Sequence, residues 1–429
     1  MHVLDWVVAS HRYPPARGLP SVCSAHPWVL RAALEHGRTL PQALPVLIES
    51  TSNQVNQEGG YTGLRPHEFV ARVRDMAQEV GFPKERLILG GDHLGPLPWA
   101  HLPAEEAMQR AEALVAAYVR AGYTKIHLDC SMPLGDEDEV PVEVVAQRTA
   151  RLAAVAEVAR PAGMPIRYIV GSEVPPAGGA KAGEGPPPVT TPEAAAETWE
   201  ALATAFRRAD LHTAWERVLA LVVQPGIEFG THTVHVYQPG ATLGLRAWAT
   251  HIGLVFEAHS TDYQPRHALR ALVDHRFAIL KVGPGLTFAF REAVFALEAL
   301  ERELRLEPAS RLREVLEQEM LADPRHWQRY YAGDAEIQRL ARAYGYSDRI
   351  RYYWPRPRVQ AALAQLFRNL EDRKVPPGLV RQYLPWALAG EAPRGLVTAA
   401  PRRWVLAHLR AVLADYAWAA RLSLEGWEV

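Results

Sequence analysis

Between Gly18 and about Leu300 the chain alternates short apolar, β-branched runs with longer segments of helical period, the pattern of repeated βα units. Strands are predicted around Ser21–Ser24, Pro45–Glu49, Leu87–Gly90, Lys125–Asp129, Arg167–Gly171, Leu219–Gln224, Gly253–Ala258 and Phe277–Val282. Helices fall between them. Pro66–Val80 closes at Gly81, and Pro103–Ala121 has proline in its first turn and Gly122 just past its end. Pro175–Pro192, rich in glycine and proline and poor in apolar residues, continues neither neighbour and reads as a long loop after the fifth strand, over the active face of a barrel. After about Leu304 the alternation stops, and helical segments such as Arg311–Leu321, Ala335–Tyr344 and Val359–Leu370 take over. The expected architecture is α/β: a (β/α)8 TIM barrel over residues 1–303 with a C-terminal helical extension over 304–429. That extension, with Trp354, Trp386 and Trp404, is assigned to packing on the barrel or at a subunit interface.

Composition narrows the partners. Lys+Arg at 47 against Asp+Glu at 48, with no basic block, excludes the electrostatic footprint of a nucleic-acid binder. Cys23 and Cys130 are the only cysteines, far apart, so a disulfide framework is not expected and a reducing compartment is. The first residues, MHVLDWVVASHRYPP, lack the basic and apolar regions of a secretory signal, and no later run is long enough for a membrane span. A cytoplasmic protein, with neither membrane nor nucleic acid as partner, is the expectation.

An eight-stranded barrel gathers its reacting groups from the C-terminal ends of its strands. Here those ends are unusually polar. The second strand runs into Glu49, Ser50, Asn53 and Gln54, the third into Asp92 and His93, and the fourth into Asp129 and Ser131. The fifth reaches Glu173, the sixth Gln224 with His232 and His235 soon after, the seventh His259 and Asp262, and the eighth Lys281. One buried histidine or aspartate is more often a satisfied structural residue than a ligand. Convergence changes that weighting. His93, His259 and one of His232 or His235, with Glu173 or Asp129, offer imidazole and carboxylate donors suited to zinc, manganese, cobalt or nickel. Such an ion keeps one position open and polarises a carbonyl.

Asp92 is the first acid/base candidate, because neighbouring residues at a strand end point in different directions and His93 can face a metal while Asp92 faces substrate. Its plainer role is to cap a turn or to orient the histidine. Asp129, Glu173 and Asp262 are the alternatives, since the chemistry needs one proton removed and another returned. Glu49, Ser50, Asn53, Gln54, Ser131, Gln224 and Lys281 are assigned to substrate oxygens. Lys281 could also form a Schiff base, although the many metal-type donors favour a substrate contact or a salt bridge. Gly283-Pro284-Gly285 is either a phosphate-binding turn or a bare tight turn, and Pro284 removes one donor from it. No Walker sequence or dinucleotide fingerprint is present.

Five segments together resemble the GatZ/KbaZ family, described as the accessory, non-catalytic subunit of class II D-tagatose-1,6-bisphosphate aldolase. They begin at Glu49 (ESTSNQVNQ), Gly90 (GGDHLGP), Gln224 (QPGIEF), Glu257 (EAHSTDYQ) and Ala278 (AILKVGP). The resemblance covers nearly the whole chain. By similarity to the wider class II aldolases it implies Asp92 as acid/base, His93 and His259 as metal ligands, and Asp129 and Glu173 as supporting or metal-facing carboxylates. His232 or His235 matches the remaining ligand imperfectly, since the local spacing differs by about a residue. After the seventh strand those aldolases carry glycines and serine for phosphate, whereas this chain has Ser260-Thr261-Asp262-Tyr263.

A metal site with an altered phosphate cradle leads to one expectation: a metal-dependent ketohexose 4-epimerase, acting on D-tagatose and D-fructose or their phosphates by retro-aldol and aldol chemistry at C3–C4. The group is also recognised to include fructose/tagatose 4-epimerases. The alternative is a subunit of tagatose-bisphosphate aldolase, catalytic or accessory to a separate chain. A homo-oligomer and a class II aldolase partner both fit the resemblance.

Overall fold

A computed structural model of the chain describes residues 3–13, 15–41, 44–171, 185–388 and 395–422. Eight parallel strands close into a barrel in sequence order. They are Leu19–Cys23, Val46–Thr51, Leu87–Leu94, Lys125–Leu128, Arg167–Val170, Val218–Val222, Val255–Ala258 and Phe277–Val282, and they are called the first to the eighth below. The first pairs with the eighth through Ser21 opposite Lys281 and Val22 opposite Val282, which completes the ring. Each predicted strand is present, with ends displaced by a few residues.

The largest shift is in the third strand, which the sequence pattern ends at Gly90 and which in fact runs to Leu94. Gly90 and Gly91 both lie inside the strand, where close packing demands them. A Cβ on Gly90 would lie 2.7 Å from Glu49 Cγ inside the barrel, and one on Gly91 would lie 2.6 Å from Leu94 and 2.7 Å from Tyr118 outside it.

The two-residue period of the strands sorts their side chains. Val22, Ile48, Leu89, Ile126, Tyr168, Leu221, Phe256 and Leu280 point outward into the main core beneath the helices. Leu19, Leu47, Ile88, Ile169, Ala220, Val255 and Ile279 point inward and form a separate apolar cluster with Leu4 and Val7. Those last two belong to an N-terminal helix, Val3–Ser10, for which the pattern carried no expectation. The helix plugs the bottom of the barrel. Asp5 on this helix takes both ends of the Arg167 guanidinium at 2.6 Å, at the start of the fifth strand.

Beyond the last barrel helix, Pro284–Glu303, the chain is mostly helical, with Leu312–Ala322, Ala335–Tyr344, Pro357–Leu370 and Pro401–Ala419 as its longer elements. Pro401–Ala419 packs on three barrel helices, Pro27–Thr39, Arg266–Asp274 and Pro284–Glu303. The Tyr416 hydroxyl donates to the Thr261 carbonyl at 2.7 Å, joining this helix to the loop after the seventh strand. Trp354 packs edge-on to Phe290 with ring centroids 4.9 Å apart. Among the described residues no helix is long and apolar enough to cross a membrane, and both cysteines are free.

Candidate active site

Above the apolar cluster the inward-facing positions turn polar. Lys125, fully buried, sits between two buried carboxylates, with Nζ 2.7 Å from Glu49 and 2.6 Å from Glu257. Glu49 also accepts a hydrogen bond from Ser21. One layer higher, Lys281 touches Asp92 and lies 3.2 Å from Glu257 and 3.6 Å from Glu49. An unpaired charge at this depth would cost several kcal/mol, and the alternation of signs is what makes the layer tolerable. Burial alone would lower the Lys281 amine, but Asp92, Glu257 and Glu49 outweigh it and hold the amine well above the usual lysine range. A lysine kept protonated is no nucleophile, so this geometry disfavours the Schiff-base role and is compatible with the salt bridge and with a substrate contact.

At the top of the barrel three imidazoles form a triangle. Ring centroids are 5.0 Å apart for His93 and His127, 4.9 Å for His93 and His259, and 5.1 Å for His127 and His259. With Asp92 they bring ligand atoms within 4.8 Å of one another, a donor set that could hold a metal ion. The surroundings fit that use. His93 Nδ1 is 2.7 Å from Asp129, and His259 Nε2 is 3.0 Å from Glu257, so a carboxylate orients each ring and the other nitrogen is left for an ion. His127 is more tightly engaged, with Nε2 3.0 Å from the Gly171 carbonyl and Nδ1 2.9 Å from Asp92. His93 itself has φ 47°, and Ser260, just after His259, has φ 53°. Left-handed backbone at non-glycine residues costs about 1–3 kcal/mol each, and it gathers where function holds it in place.

The charges follow from these contacts. Burial would raise the Asp92 carboxyl, but His93, Lys281 and the bond to His127 hold it well below the usual carboxylate range. Burial would lower His93, but Asp92 and Asp129 raise it above the ordinary imidazole value. Burial and then Lys281 push His259 well below that value, in favour of the neutral ring that metals bind. His127 and Lys281 both contact Oδ1 of Asp92.

Asp92, His93 and His259, with His127 behind them, floor a cavity of about 330 Å³ whose wall also includes Asn53, Gln54, Asp262 and Lys281. Several sequence assignments have other positions. Glu49 is buried beneath the floor as a partner of Lys125 and Lys281. Ser50 points out of the barrel to the Tyr118 and Tyr123 hydroxyls at 3.2 and 3.0 Å, because it is one residue out of phase with Glu49. Asp129 stands behind His93, and Ser131 donates to Asp129 at 2.8 Å. Gln224 organises its own turn by accepting from the Gly226 and Ile227 amides. His232 is exposed in the tip of a hairpin formed by Glu228–Phe229 and Val234–His235, and His235 is on its return strand, so neither joins the imidazole triangle. Glu173, and the loop predicted at 175–192 up to residue 184, lie outside the described residues.

Asp262 has a specific place. Its Oδ1 accepts from the Gly283 amide at 2.9 Å and the Gly285 amide at 2.6 Å, at the N-terminus of helix Pro284–Glu303. The Gly-Pro-Gly turn is therefore filled by the chain's own carboxylate. Burial pushes that carboxyl up to about 6 despite the two amides.

His127 was missed from the sequence. Its signal was the inward phase of the fourth strand, two residues on from Lys125, but that phase cannot be set before the strand's inner face is known. Arg351 and Tyr352 of the helical extension also line the cavity, and no local motif marks them.

The chain resembles a crystal structure from Sinorhizobium meliloti 1021 described as a probable tagatose 6 phosphate kinase. Identity is 47%, covering 94% of this chain and 100% of that one, with a TM-score of 0.85. It shares its fold with the fructuronate-tagaturonate epimerase UxaE from Cohnella laeviribosi, at 12% identity over 96% of this chain and 84% of that one, with a TM-score of 0.50. Residues 4–421 match the family described as D-tagatose-1,6-bisphosphate aldolase subunit GatZ/KbaZ-like, and the chain belongs to that family.

Proposed function

We propose that the protein is a divalent-metal-dependent ketohexose 4-epimerase that interconverts D-tagatose and D-fructose, or their phosphates, by breaking and remaking the C3–C4 bond. The observation that supports it is the convergence of Asp92, His93, His127 and His259 into one donor set, of which Asp92, His93 and His259 line the cavity. The hydrogen on C4 is not α to the C2 carbonyl, so direct abstraction there is difficult, whereas retro-aldol cleavage needs only the C4 hydroxyl proton. An ion held by His93, His259 and a third donor would polarise the C2 carbonyl and stabilise negative charge on the fragment that keeps it.

Asp92 lines the cavity, and its carboxylate takes the C4 hydroxyl proton. The C3–C4 pair then moves into the C2–C3 bond, leaving a three-carbon enediolate and an aldehyde. Rotation of the aldehyde presents its other face, C3 attacks it, and Asp92 returns the proton to the new C4 oxygen. Lys281 stays protonated and neutralises charge beside Asp92 throughout. Asn53 and Gln54, which line the cavity wall, would bind sugar hydroxyls.

The test is turnover of D-fructose to D-tagatose by the purified chain alone, stripped of metal and then resupplied with zinc, manganese, cobalt or nickel. Metal-restored conversion supports the reading, and metal content lost in His93→Ala would tie the ion to this triangle. The family's description as an aldolase subunit favours a second reading, in which the chain stabilises a separate class II aldolase. No conversion alone, with stabilisation of a co-expressed aldolase, would select it. The kinase activity named for the Sinorhizobium relative has less support, because the helix N-terminus at Gly283–Gly285 is closed by Asp262.

A further inference from the structure

The cavity has two regions beyond its floor, and they are finished in opposite ways. At one, the Gly283 and Gly285 amides converge at the start of a twenty-residue helix, the arrangement that commonly receives a phosphate. Here both amides donate to Oδ1 of Asp262. A Cβ on Gly285 would lie 3.0 Å from that same oxygen, so the carboxylate fits the turn closely. A phosphate arriving there would have to displace Asp262 and would meet its negative charge.

At the other, the helical extension sends Arg351 into the cavity wall beside Tyr61 and Tyr352. The guanidinium is held from behind by the Ser347 and Asp348 carbonyls. Tyr352 OH accepts from Nη2 at 3.1 Å, and Tyr61 lines the cavity beside the group. The two phenol rings meet edge to face at 4.6 Å, which fixes both. Among the described residues no carboxylate pairs with Arg351 within 4.0 Å, unlike Lys125 and Lys281 on the floor, and Asp348 acts on its charge only from beyond that distance. A planar, pre-oriented guanidinium flanked by hydroxyl donors suits an oxyanion.

We propose that Arg351, with Tyr61 and Tyr352, receives a single oxyanion at the far end of the substrate, and that Asp262 excludes a second. The inference rests on the ketohexose reading of the site above. The site then selects a ketohexose carrying one terminal anionic group, a phosphate ester or a carboxylate, over both the neutral sugar and the 1,6-bisphosphate.

Equilibrium binding by calorimetry decides this without requiring turnover. The ligands are D-tagatose, D-tagatose 6-phosphate, D-tagaturonate and D-tagatose 1,6-bisphosphate, on the metal-loaded full chain and on Arg351→Gln. The expected result is that the 6-phosphate or the tagaturonate binds at least about tenfold more tightly than tagatose, the weight of a charge-assisted hydrogen bond. Whichever of the two is preferred identifies the oxyanion. The bisphosphate should bind no more tightly than the 6-phosphate, and Arg351→Gln should remove the preference over the neutral sugar. Arg351→Lys, which keeps charge but loses the planar fork, should retain part of it. Tightest binding of the bisphosphate, equal binding of neutral and anionic sugars, or a preference untouched by Arg351→Gln would each overturn the proposal. If Arg351→Gln does not fold, the wild-type ranking of the four ligands still decides. The expected ranking without epimerisation would sink the epimerase chemistry and leave this inference standing.

Discussion

The two halves of the barrel interior are built from the same eight strands and solve opposite problems. The lower half is filled by Leu19, Leu47, Ile88, Ile169, Ala220, Val255 and Ile279 and sealed by Leu4 and Val7, so it contributes hydrophobic stabilisation in the ordinary way. The upper half buries Glu49, Asp92, Lys125, Glu257 and Lys281 beneath three imidazoles. Such groups are seldom stabilising even when paired, and an apolar filling of the same volume would often do as well. Their retention at one end only, the end that opens on a cavity, marks that end as the place where stability is given up for chemistry. Lys125 is the boundary, fully buried and bridging two carboxylates.

Four substitutions would break or sharpen that contrast. Asp92→Asn keeps the shape but loses the basic oxygen. It should lower turnover of the folded, metal-loaded protein by about a hundredfold to ten-thousandfold, with a lower thermal midpoint because Lys281 loses one of its three carboxylate partners. Normal turnover would remove Asp92 from proton transfer. Lys125→Met leaves Glu49 and Glu257 facing each other without their shared cation, and should cost about 3–5 kcal/mol in denaturant unfolding. A cost below about 1 kcal/mol would mean that Lys281 alone neutralises the layer.

In the lower half, Leu4→Ala should cost about 2 kcal/mol, the low end for a buried leucine because a terminal helix can readjust, with turnover unaffected. A selective loss of activity there would show that the halves are coupled. The smallest effect is expected at Asp262, whose folded carboxyl lies near 6 against an ordinary value of 3.8. Between those values the folded chain holds a proton that the unfolded chain has lost. Stability from this group is thus greatest at low pH, falls as pH rises through about 6, and is flat above. Asp262→Asn keeps an acceptor for both amides and removes the buried charge. It should unfold about 1 kcal/mol later than wild type at pH 8, with the gain vanishing toward pH 4. A variant less stable than wild type at pH 8 would mean that the carboxylate's charge, not its shape, holds the turn.

Much of this was legible in the chain. The alternation of β-branched runs and helical segments determined the barrel and its strand order, because consecutive parallel strands joined by helices have few other ways to close. The polar strand ends marked the reactive face, and Asp92, His93, His259 and Lys281 do meet there. Phase within a strand was decided only by the tertiary structure. Glu49 and Ser50 are neighbours in sequence, yet one enters the ion layer and the other hydrogen-bonds tyrosines outside the barrel. The same uncertainty hid His127 and gave weight to His232, which local spacing placed near the sixth strand and a hairpin carries away. Arg351 could not be read at all, since nearly 260 residues separate it from His93 and only the packing of the extension on the barrel brings it to the cavity. Sequence determines which elements form and which end is polar, because both depend on local periodicity. Which side chains share a site depends on register, barrel closure and docking, and those are settled only when the whole core packs.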